Sequence, residues 1–137
     1  MQLNAFLLKD FMKTNPVTFT PDMDIHNAMK VLVENWLSGA AVIDLRGNLV
    51  GLLSESDCLR VGLSAAYHDE WGGTVGDYMT KEVKTVDVDA SIIEIAELFT
   101  KTSYRRFPVL KENRLVGQIS RRDVMKGFVK LHQQGVW

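Results

Sequence analysis

The sequence predicts an α/β (α+β) chain in which two β-α-β-β-α repeats pack with pseudo-two-fold symmetry into one module. Three observations predict it: an internal duplication, helix-period and strand-period apolar patterns that alternate within each copy, and a length of 137 residues. Sliding the chain by 67 places pairs Asp10-Phe11-Met12 with Asp77-Tyr78-Met79, Thr18 with Thr85, Asp22 with Asp89, Ile25 with Ile92 and Val42 with Val109. After a one-residue slip near Arg46-Gly47-Asn48, Leu49-Val50-Gly51 falls on Leu115-Val116-Gly117, Ser54 on Ser120 and Asp57 on Asp123. That makes eleven identities over about fifty positions, against about three expected from ordinary residue usage. Copies of this size cover only about 60% of their unfolded surface. Two of them should therefore share a core, with repeats at 7–62 and 77–131 and a connection at 63–76.

Each element has a local reason. Residues 17–19 and 83–86 read as leading strands, the first of them held extended behind Pro16. Asp24 then precedes a helix whose Ile25, Ala28, Met29, Leu32, Val33 and Trp36 form one apolar stripe, with Gly39 as its stop. In the second copy Ser91 and Glu94 form a capping box ahead of Ile92, Ile95, Ala96 and Phe99. Apolar runs at 40–43 and 49–53, and at 107–110 and 115–119, flank polar turns and predict hairpins. A last helix opens at Ser54 and at Ser120, with Cys58, Leu59 and Leu63 or Val124, Met125, Phe128 and Val129 as its apolar side. Tyr67 and Trp71 suggest that the connection packs against the body, Gly72-Gly73 allow it to turn back, and Trp137 reads as a loose tail.

Composition narrows the function classes. With 46% apolar residues the chain can bury a core, and a net charge of −1 supplies no global field for nucleic acid or an anionic membrane. The charge is uneven, however. Residues 1–72 carry 5 basic and 9 acidic side chains and residues 73–137 carry 11 and 8, so an anionic ligand should prefer the second copy. The single cysteine and the scattered His26, His68 and His132 offer no disulfide and no zinc spacing, so no metal site is expected and a reducing, cytoplasmic setting fits. Lys9 and Asp10 interrupt the apolar start, which lacks the core of a signal peptide or a membrane span.

The ordered recurrence of Leu-Val-Gly-x-x-Ser-x-x-Asp, ending at Asp57 and at Asp123, with Asp-aromatic-Met ahead of each copy and Phe107-Pro108-Val109 in the second, resembles a pair of CBS domains, or Bateman module. The resemblance spans about residues 7–131. It implies two clefts between the sheets that hold AMP, ADP, ATP or S-adenosylmethionine, a regulatory role toward an attached or separate protein, and a homodimer. It also implies no required cofactor and no catalytic domain, since the pair takes up the chain.

The residues themselves suggest how such a ligand would be held. A helix start stabilises phosphate through its free N–H groups, whereas a carboxylate there suits the paired hydroxyls of a ribose. Asp123 is thus expected on the ribose, with the Ser120 hydroxyl toward the phosphate; the resemblance gives the aspartate the same role. Arg121, Arg122, Arg105 and Arg106 offer forked donors for phosphate oxygens, although adjacent helical residues such as Arg121 and Arg122 diverge by about 100° and cannot serve one ligand equally. Val83, Phe107 and Pro108 are candidate walls for the purine. In the first copy, around Ser54 and Asp57, Glu55 and Ser56 replace the paired arginines and Ser38-Gly39-Ala40-Ala41 replaces Arg105 to Pro108. That copy should hold phosphate less well, stay empty, or take an uncharged or cationic adenosyl ligand.

Plainer readings compete. Both Ser-x-x-Asp motifs are good helix caps, the arginines can be a solvated face, and Cys58 suits a buried thiol better than a nucleophile. A constitutive dimerisation scaffold with vestigial clefts, or RNA or DNA binding through Arg105, Arg106, Arg114, Arg121 and Arg122, are the alternative functions. An enzyme fits least, because no nucleophile–base pair or phosphate-binding loop is visible.

Overall fold

The computed structural model describes residues 6–136, and Trp137 lies outside them. The fold is α/β and divides into two compact units. One, Pro16–Val83, contains β1 (Thr18–Phe19), α1 (Ile25–Glu34), β2 (Gly39–Ile43), β3 (Leu49–Ser54), α2 (Glu55–His68) and α3 (Val75–Tyr78). Its sheet has the order β1-β2-β3, parallel between β1 and β2 and antiparallel between β2 and β3. The other unit holds β4 (Val86–Asp87), α4 (Ile92–Lys101), β5 (Arg106–Lys111), β6 (Arg114–Ser120) and α5 (Arg121–Gln133), with the sheet order β4-β5-β6 and the same strand directions. Inward residues of each sheet pack on their own helices: Phe19, Ile25, Leu32, Val42, Leu53 and Val61 in the first core, and Ile92, Phe99, Phe107, Val109, Ile119 and Val124 in the second.

Sequence repeats and folded units divide the chain differently. Residues 6–15 belong to the second unit, whereas α3 and the residues up to Val83 belong to the first. Asp10-Phe11-Met12, which heads the first repeat, therefore helps close the second core, and Tyr78 and Met79 close the first. Matching backbone bonds hold the two segments. Lys13 and Gln118 exchange N–H···O bonds at 2.9 Å, as do Thr80 and Leu52. Glycine makes both approaches possible: a Cβ on Gly117 would lie 2.6 Å from the Lys13 carbonyl oxygen, and one on Gly51 would lie 2.6 Å from Met79 Sδ. Farther along, Phe11 fills the space above Gly127, where an added Cβ would stand 2.5 Å from its ring.

Several boundaries move from their expected places. The leading strands shrink to two residues each, at Thr18–Phe19 and Val86–Asp87. Helix α1 ends at Glu34 rather than at Gly39, because Asn35 Nδ2 donates to the Val31 carbonyl at 2.8 Å and Trp36 takes a left-handed φ of 56°. That ending leaves Trp36 96% exposed, and Val33, within α1, lies on its exposed side, so neither joins the apolar stripe. Gly39 instead opens β2.

Helix α2 runs on to His68, since Ser64-Ala65-Ala66-Tyr67 contains no breaker, and the connection is reduced to residues 69–74. Tyr67 is exposed on that helix, whereas the connection returns to α1 through Trp71, whose carbonyl bonds His26 Nε2 and whose ring lies 5.5 Å from the imidazole. The apolar faces expected for α2 and α5 hold in part, since Val124 is buried and Cys58 and Phe128 pack half-buried on their cores. Leu59, Leu63, Met125 and Val129 face solvent, while Asp57, Val61 and Ala65 and, in α5, Asp123, Val124, Gly127 and Leu131 are buried. A carboxylate that caps its own helix from inside the fold sets this face, and the residues one turn and two turns on follow it.

Candidate functional site

In the first unit β3 delivers Ser54 in an extended conformation to the N-cap of α2. Ser54 Oγ accepts from the Asp57 N–H at 3.2 Å, and Asp57 Oδ2 accepts from the Ser54 N–H at 2.9 Å and from its hydroxyl at 3.0 Å. Asp57 is only 1% exposed. Its charge is met by Arg60, one turn on, whose Nη2 donates to Oδ1 at 2.5 Å and to the Tyr78 carbonyl at 3.2 Å. The Thr80 hydroxyl adds donation to Oδ1 at 3.2 Å and Oδ2 at 3.4 Å. Both carboxylate oxygens of Asp57 are thus satisfied by the chain itself.

The second unit repeats the cap without the rest. Ser120 Oγ accepts from the Asp123 N–H at 3.0 Å, and Asp123 Oδ2 accepts from the Ser120 N–H at 2.9 Å. Asp123 is 5% exposed, and its Oδ1 has no hydrogen-bond partner among the described residues. Lys126 stands where Arg60 stands and Lys13 where Thr80 stands, yet neither side chain reaches the carboxylate. Among the described residues no side-chain oxygen shut off from solvent lacks a partner, so Oδ1 keeps an opening to water, through which a donor from outside can reach it.

The other expected site residues separate. Arg121 is not available to a phosphate: Nε donates to the Tyr104 carbonyl at 2.7 Å, Nη2 donates to the Phe99 and Thr102 carbonyls at 2.9 and 2.6 Å, and the guanidinium lies 5.8 Å from the Phe99 ring centroid. A planar cation suits the carbonyl-rich end of α4, and it closes that end. Arg122, one residue on, projects into solvent without a side-chain bond among the described residues. Arg106 is half-buried at the head of β5, opposite Ser120, and Arg105 is exposed. Phe107 cannot wall a purine slot, because it is fully buried in the core and stacks on Phe99 with centroids 4.6 Å apart. Pro108 is buried and, by strand alternation, faces away from Phe107, while Val83 is half-buried and belongs to the first unit. The Ser120 hydroxyl oxygen, expected toward the phosphate, accepts the Asp123 amide in the cap.

Arg60 and Thr80 are the residues that the motif did not announce. The three-residue step from Asp57 to Arg60 on a helix was the available signal. Cys58, beside this ion pair, has its thiol pKa raised by burial, with the Asp57 and Glu55 charges adding to the effect. Among the described residues no cluster of histidine, cysteine or acidic side chains could hold a metal, and no helix is long and apolar enough to cross a membrane.

The CBS domain profile matches residues 8–64 and 75–130. The chain belongs to the CBS-domain family. Among solved CBS pairs, CBSX2 of Arabidopsis thaliana in complex with AMP superimposes with a TM-score of 0.82 at 27% identity, covering 93% of this chain and 99% of that one. The CBS domain pair of protein MJ0100, in complex with 5′-methylthioadenosine and S-adenosyl-L-methionine, gives a TM-score of 0.73 at 25% identity, with 90% and 96% covered. An uncharacterized 17.7 kDa protein of Acidianus ambivalens is 30% identical over 113 residues, which is 82% of this CBS pair and 66% of that protein. The pair spans less than two-thirds of the first curated relatives it matches: 66% of the Acidianus protein, 41% of an uncharacterized protein of Methanocaldococcus jannaschii and 14% of the A-adding tRNA nucleotidyltransferase of Aquifex aeolicus.

Proposed function

We propose that this CBS pair is a non-catalytic sensor that binds an adenosyl ligand at Asp123 and passes its bound state to a partner protein. The observation that carries the reading is the buried Asp123 carboxylate with one oxygen left unbonded at the start of α5. A ribose offers two adjacent hydroxyl donors, which would replace the water that this oxygen faces. Arg122, exposed one residue before Asp123 on α5, is the candidate partner for a phosphate, and Pro108 is the apolar candidate of the same unit for the base. The AMP bound by CBSX2 and the adenosyl compounds bound by MJ0100 favour AMP, ADP, ATP or S-adenosylmethionine as the ligand.

Homodimerisation belongs to the same reading. Leu59 and Leu63 on α2, and Met125 and Val129 on α5, expose apolar pairs one turn apart at equivalent positions of the two units. Recognition of RNA or DNA is disfavoured by the commitment of Arg121 to three carbonyls.

The deciding measurement is thermal unfolding with and without AMP. A ligand present at 100 times its Kd stabilises by about 2.7 kcal/mol, enough to raise Tm by several degrees. Asp123→Ala should abolish most of the rise, and Arg122→Gln should weaken AMP while leaving adenosine little changed. Equal AMP affinity in wild type and Asp123→Ala contradicts the assignment. No shift with any adenosyl compound favours the scaffold.

A further inference from the structure

We propose that Arg60 is a built-in occupant of the first unit's carboxylate, which restricts the chain to one adenosyl ligand and makes Arg60 the residue that sets this number. The inference rests on the ribose reading of Asp123 and extends it to the position where the same motif is closed. Both aspartates sit on the third residue of a helix behind a capping serine, and both are buried. Their second oxygens differ. Asp57 Oδ1 receives Arg60 Nη2 at 2.5 Å and the Thr80 hydroxyl at 3.2 Å, a charged donor and a neutral one at a single acceptor. Two vicinal hydroxyls would present two neutral donors to the same atom and could not replace the charge of the guanidinium. A ligand entering there must displace the guanidinium, whose side chain is 60% exposed and turns to water, and so gives up the ion pair and the Tyr78 bond, a cost that no ligand meets at Asp123.

The restraint is local. Arg60 is anchored at a second point, the Tyr78 carbonyl at 3.2 Å, by the segment that also carries Thr80. Lys126, at the equivalent place in α5, has a point charge on a flexible stem instead of a fork and makes no contact with Asp123. Glu55, one residue into α2, further disfavours a phosphate in the first unit.

Equilibrium dialysis with adenosine tests this, because adenosine carries the ribose hydroxyls without a phosphate and so meets both units on equal terms. Wild type should bind one adenosine per chain, Arg60→Gln two, and Asp57→Asn combined with Arg60→Gln one again. Two per chain in wild type, or one per chain in Arg60→Gln, overturns the inference. Binding by none of these proteins instead removes the ribose reading of Asp123. The closure is then decided without ligand by a double-mutant cycle in urea on Asp57→Asn and Arg60→Gln. Non-additive midpoints support the pairing, and additive midpoints overturn it.

Discussion

Asp57 and Asp123 share a motif, a helix position and burial, yet the atoms around them assign them different work. One carboxylate is neutralised by its own helix and the other keeps an acceptor open. Cys58 reports on the closed one. Burial, Asp57 and Glu55 all favour its protonated thiol, so the folded protein holds that proton more tightly than the unfolded chain, whose thiol titrates at about 8.5. The stability that this group contributes is complete below that pH and is lost as pH rises through the higher folded value. Alkylation by iodoacetamide should therefore be slower in the native protein than in urea at neutral pH, and its rate should inflect at a higher pH. A native inflection at or below the unfolded one contradicts this account. Arg121 and Arg122 make the complementary point about charge: neighbours in sequence, they are a structural clamp and a free cation, and only geometry separates them.

At the scale of elements, two glycines control how a passing segment meets a strand. A methyl group on Gly117 would press on the Lys13 carbonyl, which cannot move without breaking its 2.9 Å pairing with Gln118. Gly117→Ala should cost about 1–3 kcal/mol in urea unfolding, and Gly51→Ala less, since its nearest obstacle is the flexible end of Met79. Equal midpoints for both variants and wild type would refute the close approach. Local chemistry made much of this level legible. Ser91 caps α4 through the Glu94 amide, although the Glu94 carboxylate does not return the bond of a full capping box, and the Glu112-Asn113 turn adopts left-handed φ values of 51° and 67° between paired strands. Helix ends were less legible, because Asn35 stops α1 by a side-chain bond and nothing stops α2 before Asp69. Val124 was legible on the buried face of α5, whereas Val61, Ala65 and Leu131 were missed because they follow a polar residue, and an apolar count looks past a buried aspartate. Within the site, the serine and aspartate were readable from their recurrence, whereas the closure of Asp57 depends on Thr80, twenty-three residues away in sequence.

Over the whole chain, residues near one terminus stabilise the unit built mainly from the other half. Leu8 is fully buried with Ile92, Phe107 and Val109, and its amide bonds the Ala90 carbonyl at 3.0 Å. Leu8→Ala should cost about 2–5 kcal/mol and speed hydrogen exchange in β5, β6 and α5 while β2 and β3 keep their protection. Val75→Ala, in the reciprocal segment, should loosen β2 and β3 first, with a smaller penalty for its smaller side chain. Uniform loss of protection in either variant would mean that the two units do not respond separately. Sequence periodicity could not announce this exchange, because a repeat reveals which segments are alike and says nothing of which copy each one joins.

That exchange makes the duplicated gene hard to divide. A protease nick within residues 69–74 would yield a leading fragment holding a clasp for a core it lacks, and a trailing fragment that begins with the clasp belonging to the first. Neither piece would be a finished half, and mixing them should restore what neither shows alone.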